Sequence, residues 1–393
     1  FRRWEVLLAG AVTLSVMVLA AWFAVSRRGT TRVLALVVAA IAVALFAVVM
    51  ISTNSVRVLV VGLALVAVSA AAARVALHDP RPAGSGAMAD AVAASAGTAP
   101  AAPRPRHPVL IMNPWSGGGK VEKFELEQRC RDLGIEPIVL VRGSDLLALA
   151  EDAVARGADV IGMAGGDGSQ ALVASVASRH GIPFVVVSAG TRNHFALDLG
   201  MDRDDVLGSL DAFHDGVDRR IDLAEVNGRV FVNNASMGPY AKLVQSAEYR
   251  DAKVQTAADV LPDLIGPNAT PLDLQFTLPS GERATSANLV LVSNNPYQLA
   301  HLRGAALRPR LDRGELGVVT LQVNGAADAQ RLAALEVAGQ VNRFRGWNEW
   351  TPTAFEVASD GPVEVGVDGE ALTMDPPLRF VIRPGALTVR QPR

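Results

Sequence analysis

Cysteine is almost absent: the 393 residues contain one, Cys130. A disulfide framework within the chain is therefore excluded, and no Cys/His cluster has the spacing of a zinc site. An excess of charge is missing too, with 37 Lys and Arg against 39 Asp and Glu, a formal net charge of -2. Nucleic acid demands a clustered basic surplus, so no nucleic-acid partner is expected. After residue 106 no internal repeat of fixed period is seen. The near-absence of cysteine fits a catalytic part that works in a reducing, cytoplasmic setting.

What the chain has in quantity is apolar residues, half of the total. They concentrate at the front, in runs from Leu7 to Val25, Val33 to Ile51 and Val58 to Leu77. Each approaches the roughly 20 residues a helix needs to cross a hydrocarbon layer about 30 Å thick. Residues 1–78 are therefore expected to form three transmembrane helices, making a multi-pass protein of the cell membrane. A cleaved signal peptide fits less well, because the first run is long, lacks a clear cleavage site and is followed by two more spans. Arg27, Arg28 and Arg32 between the first two runs, against Arg57 alone between the next two, put the first loop and everything after residue 78 on the cytoplasmic side. Arg2 and Arg3 then lie outside, against the rule.

Residues 79–106 are dominated by Ala, Pro, Gly and Ser and read as a flexible linker. From 107 to 217, short apolar runs such as Pro108 to Met112, Val160 to Ala164 and Phe184 to Val187 alternate with helical patterns, predicting an α/β domain on a parallel sheet. From 218 to 393 the pattern turns to strand pairs: Ile221 to Val226 and Val230 to Asn234 around Asn227-Gly228, and Leu272 to Leu278 with Ala287 to Ser293 around Pro-Ser-Gly-Glu. Further strands are expected at Leu316 to Val323, Val363 to Val367, Leu378 to Ile382 and Leu387 to Val389. Helices are expected near Leu243 to Leu261 and Asp328 to Val341. The second domain is predicted to be mainly antiparallel β.

Three loops rich in small and polar residues follow three of the predicted parallel strands, at the rim where open α/β sheets bind ligands. In the first, Asn113-Pro-Trp-Ser-Gly-Gly-Gly-Lys120, glycines 117 to 119 allow backbone N–H groups close to a phosphate, and Lys120 adds a point charge. No Ser or Thr follows Lys120, so it is not a Walker A loop; taken alone it is as well explained as a tight turn. The second, Gly165-Gly166-Asp167-Gly168-Ser169, also satisfies a dinucleotide pattern through Gly166, Gly168 and Ala171. The next strand, however, ends without the acidic residue that would hold a ribose, and Asp167 would push a carboxylate toward the pyrophosphate. Asp167 makes better sense with a metal ion, or with a substrate hydroxyl whose proton it helps remove. The third, Gly190-Thr191-Arg192-Asn193, brings a hydroxyl and an amide to the same rim. His194 after it reads more readily as a packed or hydrogen-bonded histidine than as a catalytic one.

Taken in order, these loops resemble the diacylglycerol kinase catalytic domain shared by bacterial lipid kinases, eukaryotic diacylglycerol kinases and sphingosine kinases. Further similar segments are Ile221-Asp-Leu, Phe231 to Gly238, Leu311 to Leu316 and Val367-Asp-Gly-Glu370. The resemblance implies a phosphofructokinase-like α/β domain and a β-rich domain that admits a lipid, with ATP and Mg2+ between them. It implies that Asn113, Ser116, Gly117, Gly118, Gly165, Gly166, Gly168, Ser169, Thr191 and Asn193 line the nucleotide, supported by Lys120. It further implies Glu370 as the base that takes the proton of a diacylglycerol-like lipid hydroxyl, with Asp368 beside it. Asp167 would then position metal or nucleotide, although sphingosine kinases give their corresponding aspartate the base role. The partners implied are a lipid substrate and the membrane, with a homodimer possible.

Three positions depart from the pattern. Arg313 stands where some bacterial members have a magnesium-binding aspartate, and a guanidinium cannot ligate a cation. Lys242 stands where sphingosine kinases receive an amino group, which disfavours a sphingoid base. His194 replaces an aspartate. Two other readings stay open: a kinase of a soluble substrate such as NAD, and a membrane-anchored nucleotide-binding protein without turnover.

Overall fold

In a computed structural model the described residues are 37–38, 41–42, 101–238, 271–298, 307–337 and 339–393. The predicted spans lie almost wholly outside them, as do the helix expected near Leu243 to Leu261 and most of the linker. Among the described residues no helix is long and apolar enough to cross a membrane.

Four short strands, β1 (Pro108–Met112), β2 (Glu136–Val139), β3 (Val160–Ala164) and β4 (Phe184–Val187), pair in parallel in the order β2-β1-β3-β4. Every residue of β1, β3 and β4 is buried, because both faces of this sheet are covered. On one face Leu110, Met112, Val185 and Val187 pack with Leu126 and Cys130. On the other, Val109, Ile111, Ile161 and Val186 pack with Ala150, Val173 and Val176. Helices α1 (Lys120–Lys123), α2 (Leu126–Asp132), α3 (Leu146–Ala155), α4 (Asp167–His180) and α5 (His194–Asp198) connect the strands. Asp145 starts α3 by accepting from the Ala148 N–H at 3.1 Å, and Gly181 ends α4 in the left-handed conformation.

The chain then forms β5 (Gly216–Val226), β6 (Arg229–Phe231), β7 (Asn234–Met237), β8 (Phe276–Thr277), β9 (Arg283–Ala284), β10 (Leu289–Asn294) and β11 (Leu316–Leu321). After helix α6 (Ala326–Val337) come β12 (Trp347–Trp350), β13 (Ala354–Val357), β14 (Val363–Val367), β15 (Glu370–Met374) and β16 (Leu378–Pro392). A six-stranded antiparallel sheet runs β12-β11-β10-β7-β14-β15. Asn227 and Gly228, both at positive φ, close the β5–β6 hairpin, as the sequence predicts.

The strand pairs around Pro-Ser-Gly-Glu differ in detail from expectation. The turn closes only the short β8–β9 ladder, with a bridge between Leu272 and Ala287, while β10 takes its partners from β7 and β11. The two strands expected at Leu378 to Ile382 and Leu387 to Val389 are one, β16. A register shift between Arg383 and Leu387 absorbs Pro384 and Gly385, because a bulge tolerates a residue that cannot donate to the ladder.

β16 joins the two halves of the protein. It pairs antiparallel with β5 along its length and parallel with β4 through Val389 and Phe184, so the first sheet continues β4-β16-β5-β6. Phe231, Phe355, Phe380 and Leu378 from this extension meet Val290, Val318 and Val365 of the antiparallel sheet in a second core. α6 covers the other face of that sheet through Ala329 and Leu332, packed on Val319 and Leu321.

Candidate active site

The three glycine-rich loops touch one another. A Cβ on Gly117, at φ +56°, would overlap the backbone of Ala189 and lie 2.9 Å from the Gly190 oxygen, which seats the first loop on the third. One on Gly190 would fall 2.6 Å from the Gly166 Cα, which seats the third on the second. One on Gly165 would meet the end of the Met163 side chain at 2.6 Å and lie 3.3 and 3.6 Å from the Ser169 and Asn113 Cβ atoms, so the second loop adjoins the first. The approaches of Gly117 and Gly190 to backbone admit only glycine. Gly117, Gly118 and Gly119 are consecutively left-handed, which leaves this stretch of backbone bare of side chains at the rim.

Side chains then brace the loops. Lys120 Nζ donates to the Ser188 oxygen at 3.3 Å, tying the first loop to the base of the third. Asn193, 4% exposed, accepts from Gly190 N–H at 2.9 Å and donates to the oxygens of Ser188, Gly190 and Arg203. Its amide is committed to shaping its own loop. Asn113 Oδ1 accepts from Trp115 N–H. Ser116 and Ser169 are partly exposed at the rim and Thr191 is exposed. Gln170, which sequence reasoning missed, donates from the buried start of α4 to the Val187 oxygen at 3.1 Å and so fixes the second loop against β4.

Asp167 accepts from the N–H groups of His194 and Phe195, each at 3.1 Å, so its carboxylate caps α5 across 27 residues of sequence. Burial holds the His194 imidazole below its ordinary pKa despite the facing Asp167 and Asp198, which keeps it neutral at pH 7. The packed role expected for His194 agrees with this.

Opposite stands the β14–β15 hairpin, whose turn is Asp368-Gly369, both at positive φ. Asp368 points back and accepts from the N–H groups of Val232, Asn233 and Asn234 at 2.8, 2.8 and 3.1 Å. Burial, aided by the charge of Asp167, outweighs those three donors and pushes its pKa up to about 7. Glu370 points forward: its Oε1 lies 2.5 Å from where a Gly168 Cβ would sit, at the first turn of α4. Its other oxygen accepts from Arg229 Nη2 at 2.6 Å. The glycine at position 168 is thus what lets the acidic hairpin reach the loop cluster.

Beneath the site lies a buried cation that the sequence did not signal. Arg308, fully buried, pairs with Asp198 at the end of α5 and donates to the oxygens of Val232 and Asn294 at 2.6 and 2.7 Å and to Asn233 Oδ1 at 2.6 Å. It therefore ties the helix capped by Asp167 to the backbone held by Asp368. The Arg313 backbone donates to Asn295 Oδ1, and its side chain lies 3.4 Å from Glu315.

Among the described residues no three acidic, His or Cys side chains are grouped as a metal cage. Magnesium bound chiefly by phosphate oxygens and water needs one or two carboxylates. Asp167, whose oxygens each accept a single N–H, is the carboxylate at the rim.

A glycine-lined rim of a parallel sheet is faced by an acidic hairpin from an antiparallel one, in an α/β fold whose strand ends are of the kind that can take phosphate groups. Residues 107–226 match the family described as "Diacylglycerol kinase catalytic domain". It is 34% identical over 140 residues to the diacylglycerol kinase of Bacillus subtilis (strain 168), an alignment covering 34% of this chain and 46% of the relative. It is 30% identical over 122 residues to the diacylglycerol kinase of Mycobacterium tuberculosis (strain ATCC 25618 / H37Rv), covering 30% and 40%. The chain thus spans less than half the length of the curated relatives it matches. The crystal structure of a diacylglycerol kinase from Bacillus anthracis str. Sterne is similar in fold, with a TM-score of 0.52 at 17% identity over 73% of this chain and 97% of that one. A second Bacillus anthracis str. Sterne structure reaches a TM-score of 0.57 at 18% identity, over 73% and 96%.

Proposed function

We propose that the protein is a membrane-anchored lipid kinase that transfers the γ-phosphoryl group of ATP to a hydroxyl of a diacylglycerol-like lipid. The observation that carries this reading is the placement of Glu370 against Gly168, at the helix start where the phosphates would gather. Backbone N–H groups of the glycine loops and the N-terminus of α4 hold the phosphate chain. Phosphoryl transfer needs alignment and charge neutralisation more than covalent help. Magnesium, held by Asp167 and the phosphate oxygens, would neutralise charge on the transferring group. Glu370 takes the proton of the lipid hydroxyl, a contribution of roughly 10²- to 10⁴-fold. The three apolar runs at the front of the chain support a multi-pass anchor in the cell membrane, with the catalytic part cytoplasmic and within reach of the inner leaflet.

Radiolabelled ATP and total lipid extract test the proposal. Wild type is expected to give an organic-soluble phosphorylated product, and Glu370→Ala to lose it while still binding nucleotide. Product formation that survives Glu370→Ala removes Glu370 from the mechanism. A labelled product that stays in the aqueous phase points instead to a soluble acceptor.

A further inference from the structure

Arg229 is the first residue of β6, directly after the Asn227-Gly228 turn. Its Nη2 donates to Glu370 Oε2 at 2.6 Å, and the two side chains are 30% and 41% exposed. The other Glu370 oxygen touches the Gly168 position, so the guanidinium stands one carboxylate away from the phosphate-holding turn of α4. A guanidinium carries five N–H donors. The Arg229 guanidinium donates to Glu370.

Two facts make this pair more than a surface contact. Half-exposed ion pairs contribute little to stability. A carboxylate that must accept a proton is also a poor lasting partner for a guanidinium, unless the cation has another anion to move to during the reaction. The γ-phosphoryl group is such an anion, and the planar fork of arginine matches its oxygens.

We propose that Arg229 is a catalytic residue that leaves Glu370 when the nucleoside triphosphate arrives and clamps its γ-phosphoryl group. This rests on the lipid-kinase reading. In the transfer, the lipid hydroxyl oxygen bonds to the γ-phosphorus as the bond to the β,γ-bridging oxygen breaks. The electron pair leaves with the diphosphate, and the hydroxyl proton goes to Glu370. One cation thus serves two anions in turn: it shields Glu370 at rest, frees it when a triphosphate is present, and holds charge on the equatorial oxygens during transfer.

The test compares wild type, Arg229→Gln and Arg229→Lys as full chains in detergent micelles containing diacylglycerol. It measures kcat, KM for ATP, and affinities for ADP and for a non-hydrolysable ATP analogue. Arg229→Gln should lose about 10³-fold in kcat, the lower edge of what a transferring-phosphoryl arginine contributes. It should bind ADP like wild type and the triphosphate analogue about tenfold more weakly, with an unchanged melting temperature. Arg229→Lys should keep analogue affinity through its point charge yet fall at least tenfold in kcat, and it carries the test if Arg229→Gln does not fold. A kcat within threefold of wild type in both variants, or equal losses of ADP and analogue affinity, overturns the proposal. If wild type phosphorylates no lipid, the kinase reading fails on its own, and the selective loss of analogue over ADP affinity still decides whether Arg229 meets the terminal phosphate.

Discussion

Gly168→Ala separates catalytic geometry from folding. The new methyl would lie 2.5 Å from Glu370 Oε1, 2.9 Å from its Cδ and 3.0 Å from its Cγ. Ordinary carbon–oxygen contact is near 3.5 Å, so the carboxylate must retreat by about 1 Å. A displacement of that size in a reacting group costs on the order of 100-fold in rate. The stability effects are small and opposed. Alanine in place of glycine in a helix contributes up to about 1 kcal/mol, and loosening the half-exposed Arg229–Glu370 pair costs about 0.2 to 1 kcal/mol. The expected outcome is a kcat for lipid phosphorylation lowered by roughly 30- to 100-fold, with melting temperature and nucleotide affinity close to wild type. Steady-state kinetics with saturating diacylglycerol, beside a thermal melt and a nucleotide titration, read all three. A variant that folds, binds ATP and turns over within twofold of wild type would show that the position of Glu370 over α4 does not matter, and the mechanism would fall with it.

Gly117→Ala is a harsher change, since the clash is with the backbone of Ala189 and Gly190 and the residue sits at φ +56°. A loss of about 1 to 3 kcal/mol in urea unfolding and a marked fall in nucleotide affinity are expected, and unchanged affinity in a calorimetric titration would argue against contact between the first and third loops. Breaking the buried pair with Asp198→Leu or Arg308→Met alone should cost about 3 to 5 kcal/mol, because each leaves an unpaired charge. The double variant should recover only part of that loss in urea melts, because the oxygens of Val232, Asn294 and Asn233 stay without their donor, and singles costing under 1 kcal/mol would contradict the burial described. Asp368, whose folded pKa stands near 7, favours the fold in its protonated form. Its contribution is full below the ordinary carboxylate range and is lost as pH rises to about 7, so Asp368→Asn should remove that part of the slope of stability against pH; an identical slope in the variant would exclude Asp368 as its source.

The positions of the glycine loops were legible in the sequence because each follows a short, continuously apolar strand, and parallel strands deliver their carboxyl ends to one rim. The Asn227-Gly228 hairpin was legible for a local reason too, the demand for positive φ at both turn residues. What stayed hidden depends on partners distant in sequence. Asp167 read as a free metal or base candidate, yet it also caps a helix that begins 27 residues later. Asn193 read as a nucleotide ligand, whereas its amide is spent on its own loop. Arg308 sits in a polar stretch with the look of a surface loop, and only the fold makes it the fully buried cation. Asp368-Gly369 was the turn that could have been found: it has the same hairpin chemistry as Asn227-Gly228, and recognising it would have placed Glu370 at the head of a strand.

The seam formed by β16 has a consequence for how the molecule is made. Strand β4 leaves the ribosome long before the strand that will cover its outer edge, and until then it offers an open row of backbone donors and acceptors flanked by Phe184 and three valines. Such an edge invites pairing with other chains. Folding of the half that carries the parallel strands is therefore finished only by synthesis of the other half. Cutting the gene between the two would yield not two working pieces but two sticky ones.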